Sequence, residues 1–239
     1  MKPSVPKPSN GADPAGDPPG TVAPARKPRK RAPGRQPRGD AADLRAQLLD
    51  AALACFVAQG IAATSLRDIA RRAGVTPALV HYYFGDKARL QHSVVEERLW
   101  PVMVQVHAGV HEAGDGVENL VAAFVGGLVR AVAAHPWLPT LWVREILCEG
   151  GALREVMIER VGPVLPRVLA ERFTAAQQHG QLNPQLDPRL IVVSLVGLTM
   201  FPLASAPIWQ QLFGAGELGA DEVQRHALAL LVRGLELKS

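Results

Sequence analysis

The chain has few of the residues that mark a secreted domain, a redox protein or a metalloenzyme. Only two of its 239 residues are cysteines. Cys55 and Cys148 lie far apart and match no metal-ligand or redox spacing, which excludes a disulfide scaffold and a cysteine-held metal fold. Cys55 falls on the apolar side of the first helix and reads as a small buried hydrophobe. Cys148 reads as an inert thiol, with a redox sensor as the alternative. No apolar run opens the chain, so no signal peptide is expected, and a reducing cytoplasm is the expected compartment. Aromatic residues make up 5% and charged residues 20%, against 48% hydrophobic, the balance of a folded chain. No stretch alternates as a strand does, no glycine loop suits a nucleotide, and no nucleophile–base pair is evident, so an enzyme is not expected and no cofactor is implied. At 25.6 kDa the chain can bury a sizeable core, expected as two domains.

What is present is unevenly distributed. Residues 1–39 hold ten of the 20 prolines and almost no large apolar side chains, so a disordered tail is expected there. The tail carries nine Lys or Arg against Asp13 and Asp17, whereas residues 40–239 carry 17 basic and 20 acidic side chains. The net charge of +4 is therefore owed to the tail. It reads either as a solvated extension or as a basic arm that adds affinity by releasing counterions from a phosphate backbone.

From Thr64 to Leu90 the punctuation is dense. Thr64 and Ser65 are N-cap residues, and Asp68 places a carboxylate in the first turn. Leu66, Ile69, Ala70 and Ala73 recur at helical spacing, and Gly74 suits the left-handed residue that ends a helix. Thr76 is a second N-cap, with Pro77 in the first helical position. Val80 and Phe84 turn inward, and Asp86 caps a third helix containing Lys87. This is a helix-turn-helix over about 65–84, braced by a first helix from about Asp40 or Ala41 to Gln59 whose stripe is Leu44, Leu48, Ala52, Cys55 and Phe56. In such a motif the second helix enters the major groove, and the first crosses the backbone. Thr76, Pro77, Ala78, Leu79 and Tyr82 are the base-reading candidates, and Ser65, His81, Tyr83 and Lys87 the backbone candidates. Arg67 faces outward at the start of the first of the two helices.

The segment Leu48 to Leu90, LLDAALACFVAQGIAATSLRDIARRAGVTPALVHYYFGDKARL, resembles the DNA-binding domain of the TetR family of bacterial transcriptional regulators. The shared features are the Ala-Ala and Phe of the first helix, Gly60, Thr64-Ser65, Ile69-Ala70, Ala73-Gly74-Val75, Tyr83-Phe84, Lys87 and Leu90. His81 departs from the pattern, standing where many members carry a tyrosine, though an imidazole also donates to phosphate. The resemblance implies DNA-facing positions at Arg67, Leu79, Tyr82, Tyr83 and Lys87. It also implies an all-α fold: a DNA-binding domain over 42–102 and a helical effector-binding and dimerisation domain over 103–239.

That second region is expected to be helical throughout. Segments are Val102–Ala113, Val117–Ala134, Pro139–Cys148, Leu153–Gln178 dividing near Gly162-Pro163, Asp187–Leu203 and Asp221–Leu237. Leu190–Trp209 is uncharged throughout. Its two prolines point to a shorter core and interface helix rather than a membrane span. Val223, Leu228, Leu230, Leu231, Leu235 and Leu237 make a second interface candidate. Trp100, Met103, His107, Phe124, Trp137, Trp142, Met157 and Phe201 are candidates for an effector pocket. His107 and His111 share a helical face beside Glu112, but no third ligand is evident and no metal site is expected. Glu145 and Glu149 read as a solvated face. The function expected is a sequence-specific DNA-binding regulator, a repressor that holds a palindromic double-stranded operator as a homodimer and is released by a small-molecule effector. A protein-binding adaptor on the same fold is the alternative, and a helical enzyme a more distant one.

Overall fold

The structure, a computed structural model, describes residues 38–114 and 116–235, with the side chains of 38–40, 233 and 235 left aside. The expected disordered tail lies almost wholly outside the described residues. Every regular element among them is helical.

Three short helices follow a long one. Helix α1 (Arg38–Gln59) buries Leu48, Leu49, Ala52 and Phe56, and it begins inside the segment expected to be tail. Gly60 ends it at φ 88°. Helix α2 (Leu66–Ala73) opens on a full capping box, with the Ser65 hydroxyl accepting from the Asp68 amide at 3.2 Å and Asp68 accepting from the Ser65 amide at 3.0 Å. It closes on Gly74 at φ 68°, a left-handed conformation that a Cβ would strain. Helix α3 (Pro77–Phe84) starts at Thr76, which holds the N-cap position but whose hydroxyl makes no capping bond. Helix α4 (Lys87–Val94) is capped by Asp86, whose carboxylate accepts from the Arg89 amide at 2.8 Å. Ile69, Ala70, Val80, Phe84, Leu90 and Val94 meet the α1 stripe in one core.

Helix α4 runs through a π-helical turn at Val95–Leu99 into α5 (Trp100–Glu112), and Pro101, which lacks an N–H to donate back along the helix, follows just after that turn. Helix α6 (Val117–Ala134) has half of its residues buried. Helix α7 (Leu138–Trp142) continues into a second π turn at Val143–Leu147. The short α8 (Arg154–Val156) continues into a third at Met157–Val161. Helices α9 (Pro166–Gln178), α10 (Pro188–Phe213) and α11 (Ala220–Leu235) complete a second core with α5 and α6, centred on Leu120, Phe124, Leu169, Phe173, Leu195 and Ala227.

Two expectations about the interface helices need correction. Helix α10 does not stop near Leu203 but continues to Phe213 with Pro202 and Pro207 inside it. A helix-interior proline costs about 3 kcal/mol through a lost hydrogen bond and a clash. Here, side chains supply bonds to backbone carbonyls in the same stretch. The Ser205 hydroxyl donates to Phe201 O at 2.7 Å, and the Trp209 indole donates to Pro202 O at 2.8 Å. In α11, Val223 and Leu231 are spent on the chain's own core, whereas Leu230 faces outward. Leu235 and Leu237 carry no described side chain.

Candidate nucleic-acid interface and ligand cleft

The capping chemistry sets what α2 and α3 present. Tyr82 is 81% exposed and stands edge-on to Tyr83, with ring centroids 5.5 Å apart and planes at 86°. Tyr83 is half-buried and leans on Phe84, which anchors α3 to the core. Thr76, Pro77, Ala78 and His81 are exposed along the same helix, and the uncommitted Thr76 hydroxyl is available to a base or phosphate. Leu79 is half-buried, so it offers part of its surface at most. Arg67 is exposed and makes no hydrogen bond or ion pair within the described residues.

Two of the expected contacts are already engaged within the protein. The Ser65 hydroxyl donates to Asp68 Oδ2 at 2.6 Å, which holds the Asp68 carboxyl below the usual aspartate range. Lys87 Nζ donates to Ala62 O at 2.8 Å, so its first role is to pin the α1–α2 turn against α4. Its remaining donors still point to solvent, since the residue is half-exposed. Burial pushes the Cys55 thiol up, keeping it protonated, while Cys148 is exposed.

Behind this surface, α1 is lashed to the π turn that joins α4 to α5. Arg45 grips Glu97 with two bonds of 2.6 and 2.7 Å, and Arg98 reaches Asp50 at 2.7 Å. The α1–α2 turn is also held from the far side. Arg144 Nη1 donates to Val57 O at 2.8 Å. Glu145, expected on a solvated face, is 4% exposed and accepts from the Ile61 amide at 2.9 Å and the Ala152 amide at 3.1 Å. The correction has a simple cause: the turn at Gly60-Ile61 leaves an amide without a helical partner, and the carboxylate supplies one. A Cβ at Gly60 would come 3.2 Å from Glu145 Oε1, so the approach requires glycine there. Nothing in the local sequence signals this residue, because its burial is made by segments more than 80 positions apart.

The pocket candidates divide. Trp100, Met103 and His107 line one wall of a small, open cleft of about 40 Å³ together with Val104, and Val161, Val164 and Leu165 line the other. Phe124 is instead buried in the second core, where it packs between helices, and Trp142 packs against the same core. Trp137 bridges the two cores, and Met157 lies in the third π turn away from the lining. Phe201 is 66% exposed on the outer face of α10, because the helix runs on past the core and turns that side to solvent. His107 and His111 stand 6.5 Å apart without further ligands. Among the described residues no group of three or more metal-ligating side chains gathers.

The Arg160 guanidinium lies 4.8 Å from the Trp100 ring centroid and is paired with Glu96 in the first π turn. That bond holds the Glu96 carboxyl below the usual glutamate range. Neither residue is signalled by the sequence, since a charge pair across 64 positions leaves no local pattern.

Comparison with known proteins places this geometry. The family described as "Bacterial regulatory proteins, tetR family" matches residues 48–94. The HTH-type transcriptional regulator SrpR of Pseudomonas putida is 38% identical over 166 residues, which covers 69% of this chain and 75% of SrpR. Among solved structures, the ketosteroid transcriptional regulator KstR2 of Mycobacterium tuberculosis superposes with a TM-score of 0.65 at 20% identity, over 81% of this chain and 95% of its own. The transcriptional regulator FadR from Bacillus subtilis, in complex with stearoyl-CoA, superposes with a TM-score of 0.62 at 20% identity, over 80% and 99%. These last two speak to the fold.

Proposed function

The chain belongs to the TetR family of bacterial regulatory proteins and is a DNA-binding transcriptional regulator, and from that membership we propose that it is a cytoplasmic repressor, not an enzyme, released from DNA by a small-molecule effector. Helix α3 enters the major groove, about 12 Å wide, with Thr76, Pro77, Ala78, Leu79 and Tyr82 toward the bases. Ser65, His81, Tyr83 and Lys87 meet phosphates, and Arg67 reaches either. The observation that carries this reading is the exposure of Tyr82 and Arg67 beside the unbonded Thr76 hydroxyl, between two helices, α2 and α4, whose N-caps are satisfied by Ser65 and Asp86.

The repressor works as a homodimer on a palindromic double-stranded site, with its two α3 helices about one DNA turn apart, ~34 Å. The support is the outer face of α10, where Leu190, Val193, Phe201, Ile208 and Leu212 form an exposed apolar stripe. Gly197 lies within it, with open space beyond, which permits a second helix to approach closely. By length and composition α10 would also cross a membrane. A second copy covers the same stripe while leaving the DNA-binding face free. The cleft beside α5 takes the effector; a small-molecule ligand is in keeping with the FadR structure, which is a complex with stearoyl-CoA. The basic tail adds sequence-independent affinity on the phosphate backbone.

Selection from a random DNA pool with the full-length protein at near-physiological salt tests the proposal. One palindromic motif is the expected result. Recovery of no motif, with only salt-sensitive binding, would overturn sequence-specific repression.

A further inference from the structure

Trp100 and His107 stand seven residues apart on one face of α5, which is ~10 Å along a helix axis. Between them the cleft is apolar, with Met103 on one wall and Val161 and Leu165 on the other. The exposed lining is almost wholly apolar, and a polar group in an unusual state stands beside each end of it. At the Trp100 end, Arg160 stacks over the indole and is neutralised by Glu96, with both side chains about one third accessible. At the other end, His107 Nδ1 is buried without a hydrogen-bond partner. A buried polar atom left unmet costs free energy, and a native structure rarely keeps one without a use.

Resting on the reading of this chain as an effector-released regulator, we propose that the effector is an amphipathic acid, with an apolar body ~10 Å long, an anionic head that takes Arg160 from Glu96, and a polar far end that meets His107. A guanidinium presents five N–H donors in a plane and can take the acid's carboxylate in place of Glu96, whose own carboxylate is already one third accessible and is rehydrated on release. Arg160 keeps its stacking on Trp100 throughout. What changes is Glu96. It lies in the π turn between α4 and α5, and α4 begins three residues after the recognition helix ends. With Arg160 taken, the tie from that turn to Met157–Val161 is broken. The acid therefore makes different contacts in two states of the protein, which is the condition for any effector to shift them. A neutral molecule of the same length fills the apolar wall and leaves Glu96 in place.

Octanoate, octan-1-ol and 8-hydroxyoctanoate are the probes, titrated calorimetrically into the full-length dimer and, in parallel, into its complex with the selected DNA. Octanoate is expected to bind about tenfold more tightly than octan-1-ol, the scale of one charge-assisted contact. Arg160→Met, which keeps the stem on Trp100, brings the acid down to the alcohol. Should that variant fold poorly, Glu96→Gln gives an independent reading, because a weaker hold on Arg160 tightens octanoate. The 8-hydroxy acid gains over octanoate, and His107→Leu removes the gain. Equal binding of acid and alcohol, an acid preference that survives Arg160→Met, or no binding of any probe would overturn the proposal. If the alcohol released DNA as well as the acid did, effector control would stand and the acid class would fall. Failure of the protein to select any DNA would instead defeat the regulator reading itself.

Discussion

Replacing Glu145 with alanine removes one acceptor from two backbone amides at once, those of Ile61 and Ala152, at 2.9 and 3.1 Å. A hydrogen bond to a charged group contributes about 1.5–3 kcal/mol, and a buried donor left unsatisfied costs about 1–3 kcal/mol. Burying the carboxylate itself costs several kcal/mol, part of which alanine recovers. The net loss expected is about 2–4 kcal/mol, a large share of the roughly 5–15 kcal/mol that holds a typical domain. For a body of this size each kcal/mol moves the melting temperature by about 2–4 °C, so a fall of about 5–15 °C is expected. Glu145→Gln keeps the shape and one acceptor but turns an amide donor toward the other N–H, and should fall between alanine and the parent. Urea titration with an unchanged slope, alongside calorimetry, measures both. Because the same carboxylate fixes the turn that leads into α2, operator affinity should drop with stability. A Glu145→Ala protein within ~0.5 kcal/mol of the parent, the range of an ordinary surface change, would refute the idea that this carboxylate ties the Gly60-Ile61 turn to the Ala152 segment.

Tyr82→Ala should weaken operator binding on the order of tenfold or more while leaving unfolding free energy within ~0.5 kcal/mol, as read by fluorescence anisotropy and urea titration. A stability loss larger than that would place the ring in the core. Asp68 has its folded pKa depressed by the Ser65 hydroxyl and amide, so it binds fewer protons folded than unfolded. Its contribution is complete above the unfolded aspartate range near ~4 and is lost as pH falls through the lower folded value. Asp68→Asn should flatten the acid limb of stability against pH, and an unchanged limb would count against the capping box. Deleting residues 1–37 should reduce the slope of log affinity against log salt by ~0.9 for each phosphate contact the tail makes, and an unchanged slope would mean that it makes none. Phe201→Glu should turn the dimer into monomer in sedimentation, whereas a persistent dimer would move the interface off the outer face of α10.

The DNA-binding half was legible because its signals are local. Ser65 and Asp68 cap across one turn, Gly74 takes a backbone only glycine adopts freely, and Pro77 sits where a missing amide is harmless. Each of these can be read within four residues. The end of α10 was not legible, because the penalty at Pro202 is local while the Trp209 indole that bonds back to Pro202 O sits seven residues further on. Glu145 and the Glu96–Arg160 pair were invisible for a related reason: their partners are set by which helices pack, not by spacing. The cleft lay in between. Trp100, Met103 and His107 share one helical face and line the cleft together, whereas Phe124 and Phe201, equally apolar in sequence, are turned inward to the core and outward to solvent by the packing.

The π turn at Val95–Leu99 has a consequence in angular terms. Leu90 and Val94 face one core, and Val102, Val106 and Val110 face the other. Eight positions separate Val94 from Val102, and in an unbroken α-helix at ~100° per residue those side chains would diverge by ~80°. The wider turn absorbs one residue, and the divergence falls to ~20°. A single rod can then be the inner wall of both halves. Moving that extra residue out of the turn would swing one stripe away from its core by about a quarter of a revolution or more. Settings between the two bury neither stripe well. A rod built this way would change by clicks rather than by degrees, and a change passed along it from Glu96 would reach α4 as a discrete step.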